Sequence, residues 1–340
     1  MPLFSSQRSV NGVFSARKKS GGVLPYLTRQ VITTGFVAGG YKDSVAWQNV
    51  NSFDFATETT TGRGNLLTHA GGYIAGAMNR TYSYTIGSSG TGSSGMAASG
   101  GVNKWNHKTY AMVTTQTAPA TGMSDPETAV EYDLLGTGKF AWVQTNSANM
   151  NKLDMTTDTW TTSISTGLSA GGSGVASYWN ETDAIFWADT TATAAADGQR
   201  KFNFATVTET NPGISLSTFG NQKGLAGKTG YGWAGNEGSY NGGNNFRRYN
   251  YVTNSTSVQG AKPVTNSGEE NYFTGQAIGV TLGSYTGAGQ VLDSGKYTYA
   301  TESGTLLPSG QWYRGTQSGT GSSAGSAIAG ASSGCGTWSD

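Results

Sequence analysis

A five-residue phrase returns along this chain on an almost fixed beat. It reads Phe53-Asp54-Phe55-Ala56-Thr57, Leu153-Asp154-Met155-Thr156-Thr157, Phe202-Asn203-Phe204-Ala205-Thr206, Tyr249-Asn250-Tyr251-Val252-Thr253 and Tyr297-Thr298-Tyr299-Ala300-Thr301. Each copy is large apolar, small polar, large apolar, with Thr in fifth place. From Leu153 onward the starts lie 49, 47 and 48 residues apart, and Phe53 precedes Leu153 by 100, or two such steps. A period near 50 built from strand pairs is the mark of a propeller blade, because each unit buries its sheet face only against its neighbours. The period constrains the fold tightly and the function much less.

Each phrase has a companion strand upstream. Phe36-Val37-Ala38, Ile185-Phe186-Trp187-Ala188, Tyr231-Gly232-Trp233-Ala234 and Val280-Thr281-Leu282-Gly283 end 14 or 15 residues before Phe53, Phe202, Tyr249 and Tyr297. Polar, Gly/Asn-rich residues lie between, which predicts a hairpin with a long connection. Two further segments, Asn103-Lys104-Trp105-Asn106 before Tyr110-Ala111-Met112-Val113 and Ser177-Tyr178-Trp179-Asn180 before Ala184-Ile185-Phe186-Trp187, read as strand, Trp-Asn turn and strand. A fourth strand follows the phrase, as Trp160-Thr161-Thr162-Ser163-Ile164 follows Asp154. Four strands per unit make a propeller blade.

Composition agrees. The 52 glycines among 340 residues are about twice the usual share. Nine Trp, seventeen Tyr and twelve Phe supply core material, and no apolar run at helical spacing stands out. The expected fold class is all-β, a β-propeller of six or seven four-stranded blades with extended N- and C-terminal segments. The period over 31–310 gives about six blades. Counting hairpins gives seven, because Tyr73-Ile74-Ala75-Gly76 with Tyr82-Ser83-Tyr84, and Tyr110 to Val113 with Val130-Glu131-Tyr132, both fall between Phe53 and Leu153.

Leu153-Asp154-Met155-Thr156-Thr157-Asp158-Thr159-Trp160 resembles the blade phrase of kelch repeats, and Gly39-Gly40 matches the kelch Gly-Gly pair in the first unit. The resemblance spans 31–310 and implies a kelch-like propeller. It implies no particular chemistry.

The ends differ from the middle. Arg8, Arg17, Lys18, Lys19, Arg29 and Lys42 precede the first acidic residue, Asp43. Phe4, Val10, Val13 and Phe14 interleave with them, which favours docking on a protein over direct nucleic-acid binding. Residues 1–30 are expected to be a basic docking arm whose partner-binding residues are Arg8, Arg17, Lys18, Lys19 and Arg29. Residues 311–340 are Gly/Ser/Ala-rich and are expected to be a flexible tail. The N-terminus lacks a signal-peptide core, and no stretch has transmembrane length, so no membrane partner is expected.

Few residues offer chemistry. His69 and His107 belong to different units, and no Cys/His cluster for zinc exists. A copper-oxidase site on a kelch-like propeller needs a Cys near two His and two Tyr, whereas the single cysteine, Cys335, lies in the tail. Of the acidic pairs, Asp154 occupies a slot that Asp54, Asn203 and Asn250 also fill, which marks it as turn chemistry. Asp158-Thr159-Trp160 resembles part of a sialidase Asp-box but lacks its Gly. Gly-rich runs such as Gly171-Gly172-Ser173-Gly174 are followed by no Lys-Ser/Thr. The expectation is no catalytic residue, no metal and no cofactor. Trp187 and Trp233 read as core, while Trp105 and Trp179, at Trp-Asn turns, are possible glycan contacts.

Low charge, abundant Gly, Ser, Thr and Asn, and repeated β units resemble structural proteins of tailed bacteriophage particles. That resemblance implies a non-enzymatic virion protein of the neck, tail or fibre region, made in the host cytoplasm and attached through its N-terminal arm. Its expected partners are other virion structural proteins and further copies of itself. The alternatives are a carbohydrate-binding module that recognises a host surface glycan, or an enzyme acting on glycans.

Overall fold

The computed structural model describes residues 34–38, 41–42, 45–46, 48–68, 75–86, 101–113, 116–117, 127–133, 138–144, 149–166, 176–180, 182–187, 199–210, 224–226, 231–235, 245–261, 271–274, 278–282, 284–286, 289–291, 295–307 and 336–339. The protein is all-β. Its strands form small antiparallel sheets, and no helix occurs among the described residues.

Among the described residues six sheets hold four or more strands. In order across the sheet, sheet 3 runs Glu127–Tyr132, Gly138–Gln144, Asn149–Asp154 and Thr159–Ser165. Sheet 4 runs Ala176–Trp179, Asp183–Trp187, Gln199–Asn203 and Thr208–Thr210. Sheet 5 runs Gly224–Ala226, Tyr231–Gly235, Asn245–Asn250 and Ser255–Ala261. Sheet 6 runs Asn271–Thr274, Ile278–Leu282, Gly295–Thr298 and Ser303–Leu306. Sheet 2 begins Ala75–Met78, Tyr82–Ile86 and Gly101–Asn106, and its outer edge is split between Ala111–Met112 and Gln116–Thr117.

Sheet 1 departs from this sequential order. Thr34–Ala38, Asn49–Asp54 and Thr59–Asn65 are its second, third and fourth strands, and Gly336–Ser339 is its first. The segment read as a tail therefore ends in a strand, with Phe36 opposite Trp338. Gly336–Ser339 lies against Ala75–Met78, which lies against Glu127–Tyr132. The first strands of sheets 3 to 6 touch in turn, and Asn271–Thr274 lies against Gly336–Ser339.

The repeated phrase occupies one place in its sheets. Phe53, Leu153, Phe202, Tyr249 and Tyr297 each stand next to last in a third strand, and each is fully buried. Opposite them in the second strand are Gly35, Ala141, Ala184, Gly232 and Gly279. A large side chain facing a small one across a strand pair leaves a hollow for the neighbouring sheet's residues. The companion strands read from sequence are these second strands.

The core lies between consecutive sheets. Phe36, Val50 and Leu67 of sheet 1 pack with Met78 and Trp105 of sheet 2. Tyr84, Ile86 and Val102 of sheet 2 meet Val130, Val143, Leu153 and Met155 of sheet 3. Trp142 and Met150 of sheet 3 meet Phe186, Phe202 and Phe204 of sheet 4. Sheets 2 and 3 approach closely at Gly138, where a Cβ would sit 2.1 Å from the Met78 carbonyl oxygen. Only glycine fits there without moving backbone.

Sheet 2 resolves the irregular region. Trp105-Asn106-His107-Lys108-Thr109 holds the position of the phrase, with Ser83 opposite Trp105. Trp105-Asn106 thus begins the turn from third to fourth strand, whereas Trp179-Asn180 begins the turn from first to second. The two Trp-Asn segments are not equivalent. The extra hairpin drawn from Tyr110 to Tyr132 joins residues of different sheets.

Candidate functional site

The same four-residue turn follows the third strand in all six sheets. In five of them the polar residue just before the turn accepts two backbone hydrogen bonds: Asp54 Oδ1 from the N–H groups of Ala56 and Thr57, both at 2.8 Å. Asn106, Asp154, Asn203 and Asn250 repeat this bond pair. An Asx side chain so placed substitutes for a backbone turn. The N–H of Thr57 holds the Asp54 carboxyl below its ordinary range. The Thr then meets a hydroxyl two residues on, as in Thr57–Thr59 at 2.7 Å and Thr301–Ser303 at 2.7 Å. The third-place residues His107, Met155, Phe204, Tyr251 and Tyr299 are buried. Edge-to-face ring pairs form within the phrase at Phe53–Phe55, Phe202–Phe204, Tyr249–Tyr251 and Tyr297–Tyr299.

Four residues past the polar slot the backbone turns left-handed. Glu58, Tyr110, Asp158, Val207, Asn254 and Glu302 all have φ between 49° and 59°. At four of the six junctions the side chain of this left-handed residue meets the residue just before the large apolar one of the preceding sheet. Lys104 of sheet 2 donates to Asp158 of sheet 3 at 2.5 Å, and the Tyr84 hydroxyl donates to the same carboxylate at 2.9 Å. Burial, then the Asp158 charge, raises the Tyr84 phenol above its ordinary pKa. Lys201 of sheet 4 donates to Asn254 of sheet 5 at 3.0 Å and to the Tyr251 carbonyl at 3.1 Å. Arg248 of sheet 5 pairs with Glu302 of sheet 6. Lys296 of sheet 6 pairs with Glu58 of sheet 1 at 2.6 Å.

Two junctions vary the theme. Sheet 1 has Ser52 in the cation position, and Arg63 donates to its hydroxyl at 2.8 Å while lying 4.1 Å over the Tyr110 ring of sheet 2. At the junction of sheets 3 and 4 the two positions hold Lys152 and Val207. Lys152 rests on aromatic rings instead, 4.7 Å from Phe140 and 5.1 Å from Trp142.

Glu209 and His107 are among the other buried polar side chains. The Glu209 carboxylate is 3 % exposed, with Arg200 Nε 3.6 Å from one oxygen. Burial, partly offset by the Arg200 charge, pushes its pKa up to about 7. His107 fills the place that Phe, Met or Tyr fills in the other copies, and its Nδ1 lies 3.3 Å from the Ser83 hydroxyl. No group of three His, Cys, Asp or Glu residues that could hold a metal occurs among the described residues.

Of the two tryptophans offered as glycan contacts, the structure buries one and half-buries the other. Trp105 is fully buried, because it is the large apolar residue of an unrecognised copy of the phrase. Trp179 is half-buried between sheets, and its indole donates to the Tyr132 hydroxyl at 3.2 Å. Arg8, Arg17, Lys18, Lys19, Arg29 and His69 lie outside the described residues. Sequence reasoning missed the left-handed position, whose occupants share no chemistry. The basic residue before the phrase, Lys104, Lys152, Lys201, Arg248 and Lys296, was legible as a pattern but passed over.

No protein-family model matches the chain, and no curated protein matches it. Among solved structures it is similar to one titled "Structure of YjhT", with a TM-score of 0.57 and 13% identity, over 84% of this chain and 100% of that one. At such identity the likeness speaks for the fold alone. The fold is β-propeller-like.

Proposed function

We propose that the chain forms a closed, six-bladed, kelch-like propeller and serves as a non-enzymatic structural protein of a phage particle, attached through its N-terminal arm. Support for the ring comes from the contact between Asn271–Thr274 and Gly336–Ser339, which joins the last sheet to the first. The Lys296–Glu58 pair joins the same two sheets through their turns.

The observation that carries the structural role is how the repeat spends its polar groups. Asp54, Asp154 and their Asn counterparts hold turns, while Glu58, Asp158 and Glu302 bind the cation of the preceding sheet. These carboxylates are committed to holding units together. Solenoid-like repeats gain most of their stability from such neighbour contacts, which suits a durable scaffold. The basic, apolar-studded residues 1–30 would supply the attachment device.

The reading is tested by deleting residues 1–30 and following particle incorporation. A folded, soluble protein that no longer enters the particle is the expected result. Normal incorporation would remove the arm's role, and absence of the full chain from purified particles would remove the virion assignment.

A further inference from the structure

At four junctions the cation before the phrase meets an oxygen acceptor on the following turn: Asp158, Asn254, Glu302 or Glu58. Between sheets 3 and 4 the cation is present and the acceptor is not. Lys152 sits in the cation position, and Val207 holds the turn with φ of 54°. A β-branched residue in the left-handed region is strained. Asparagine there would relieve the strain and would give Lys152 the acceptor that Asn254 gives Lys201. The chain instead holds a strained valine there, and among the described residues no oxygen acceptor meets Lys152.

The rings beneath Lys152 attract its charge but accept none of its N–H bonds in the way an oxygen does. A second cation shares that ring: exposed Lys139 lies 4.8 Å from the Phe140 ring centroid. No carboxylate among the described residues pairs with either ammonium. Glu131 is committed to the Trp142 indole, from which it accepts at 2.8 Å. Two ammonium groups thus lie 4.7 and 4.8 Å from the centre of one half-buried phenyl ring, and Val207 packs against the same core as that ring.

From this we infer that Lys152 and Lys139 form a binding site for a carboxylate carried on an apolar body. The carboxylate takes the place that Asp158 or Glu302 takes at other junctions, and the apolar body lies on Phe140 and Val207. The inference is independent of the particle assignment, since it rests only on the junction between sheets 3 and 4.

The test is a titration of the full-length protein with benzoate, followed by saturation-transfer NMR and calorimetry, with benzamide and inorganic phosphate as comparisons. Benzoate should bind, and benzamide should bind at least tenfold more weakly. Val207→Asn should raise the melting temperature and weaken benzoate binding at least tenfold, because the new amide occupies Lys152. Lys152→Met should weaken binding similarly, which keeps the inference testable should Val207→Asn fail to fold. Benzoate binding that is absent in the wild type, or unchanged in either variant, would overturn the site. Equal binding of benzamide, or tighter binding of phosphate, would overturn the carboxylate assignment.

Discussion

Lys296 donates a hydrogen bond to Glu58 at 2.6 Å although 238 residues separate them in the chain. The link repeats what Lys104 does for Asp158 and Arg248 for Glu302, each between one sheet and the next in sequence. Here it joins the sixth sheet to the first. Both partners are partly exposed, so the pair is worth about 0.5–1 kcal/mol. Lys296→Met and Glu58→Gln should each lower unfolding free energy by that amount, and the double variant by no more than one of them. Strictly additive losses in denaturant titrations would show that the two do not interact.

Phe202 is fully buried, with its ring 4.8 Å from Trp142 of the preceding sheet and 5.8 Å from Phe204. Truncation leaves a cavity between two sheets rather than within one. Phe202→Ala should cost about 3–5 kcal/mol in chemical denaturation. A loss below about 1 kcal/mol would mean the phrase does not supply the inter-sheet core.

Asp154 Oδ1 accepts from the N–H groups of Thr156 and Thr157 at 2.8 and 3.2 Å. Asp154→Ala should destabilise by about 1 kcal/mol. Asp154→Asn should restore most of the loss, because Asn106, Asn203 and Asn250 hold the same turn in other sheets. Equal losses in the two variants would indicate that charge, not acceptor geometry, matters at this slot.

Glu209 gives the protein a defined pH response. Its folded pKa of about 7 lies above the ordinary carboxyl value, so folding favours the protonated form. The associated stability is complete below the ordinary carboxyl range and is lost as pH rises through about 7. Between pH 5 and pH 8 the wild type should lose on the order of 2–3 kcal/mol at this site, while Glu209→Gln should remove that dependence. A wild-type and Glu209→Gln pair with parallel stability–pH curves would contradict the burial of this carboxyl.

The period was legible because the phrase couples two constraints. A large apolar residue must face a small one across the strand pair, and the next residue must cap a turn, which leaves only Asp, Asn or Thr in the slot. One copy escaped notice because His107 stands where the others have an apolar residue, so Trp105, fully buried in the structure, could be read either as packing or as an exposed contact. The inter-sheet links were hidden for a different reason. The left-handed position accepts Glu, Tyr, Asp, Val or Asn alike, since only its backbone conformation is shared. The strand Gly336–Ser339 was also invisible, being four residues of unremarkable β propensity at the end of a Gly/Ser-rich stretch. Its identity as a strand comes from the open edge of Thr34–Ala38, with which it pairs.

Ring closure is measured most directly by distances between equivalent turns. Ala56, Ala205, Val252 and Ala300 are all exposed and hold the same position in their turns. With Cys335 replaced by serine, spin labels at Ala56→Cys and Ala300→Cys would report the gap between the first and last sheets by pulsed electron resonance. Labels at Ala205→Cys and Val252→Cys would report a gap between sheets that are neighbours in sequence. A closed six-sheet ring predicts matching distance distributions for the two pairs. A much longer distance between positions 56 and 300 would show an open array and contradict the ring.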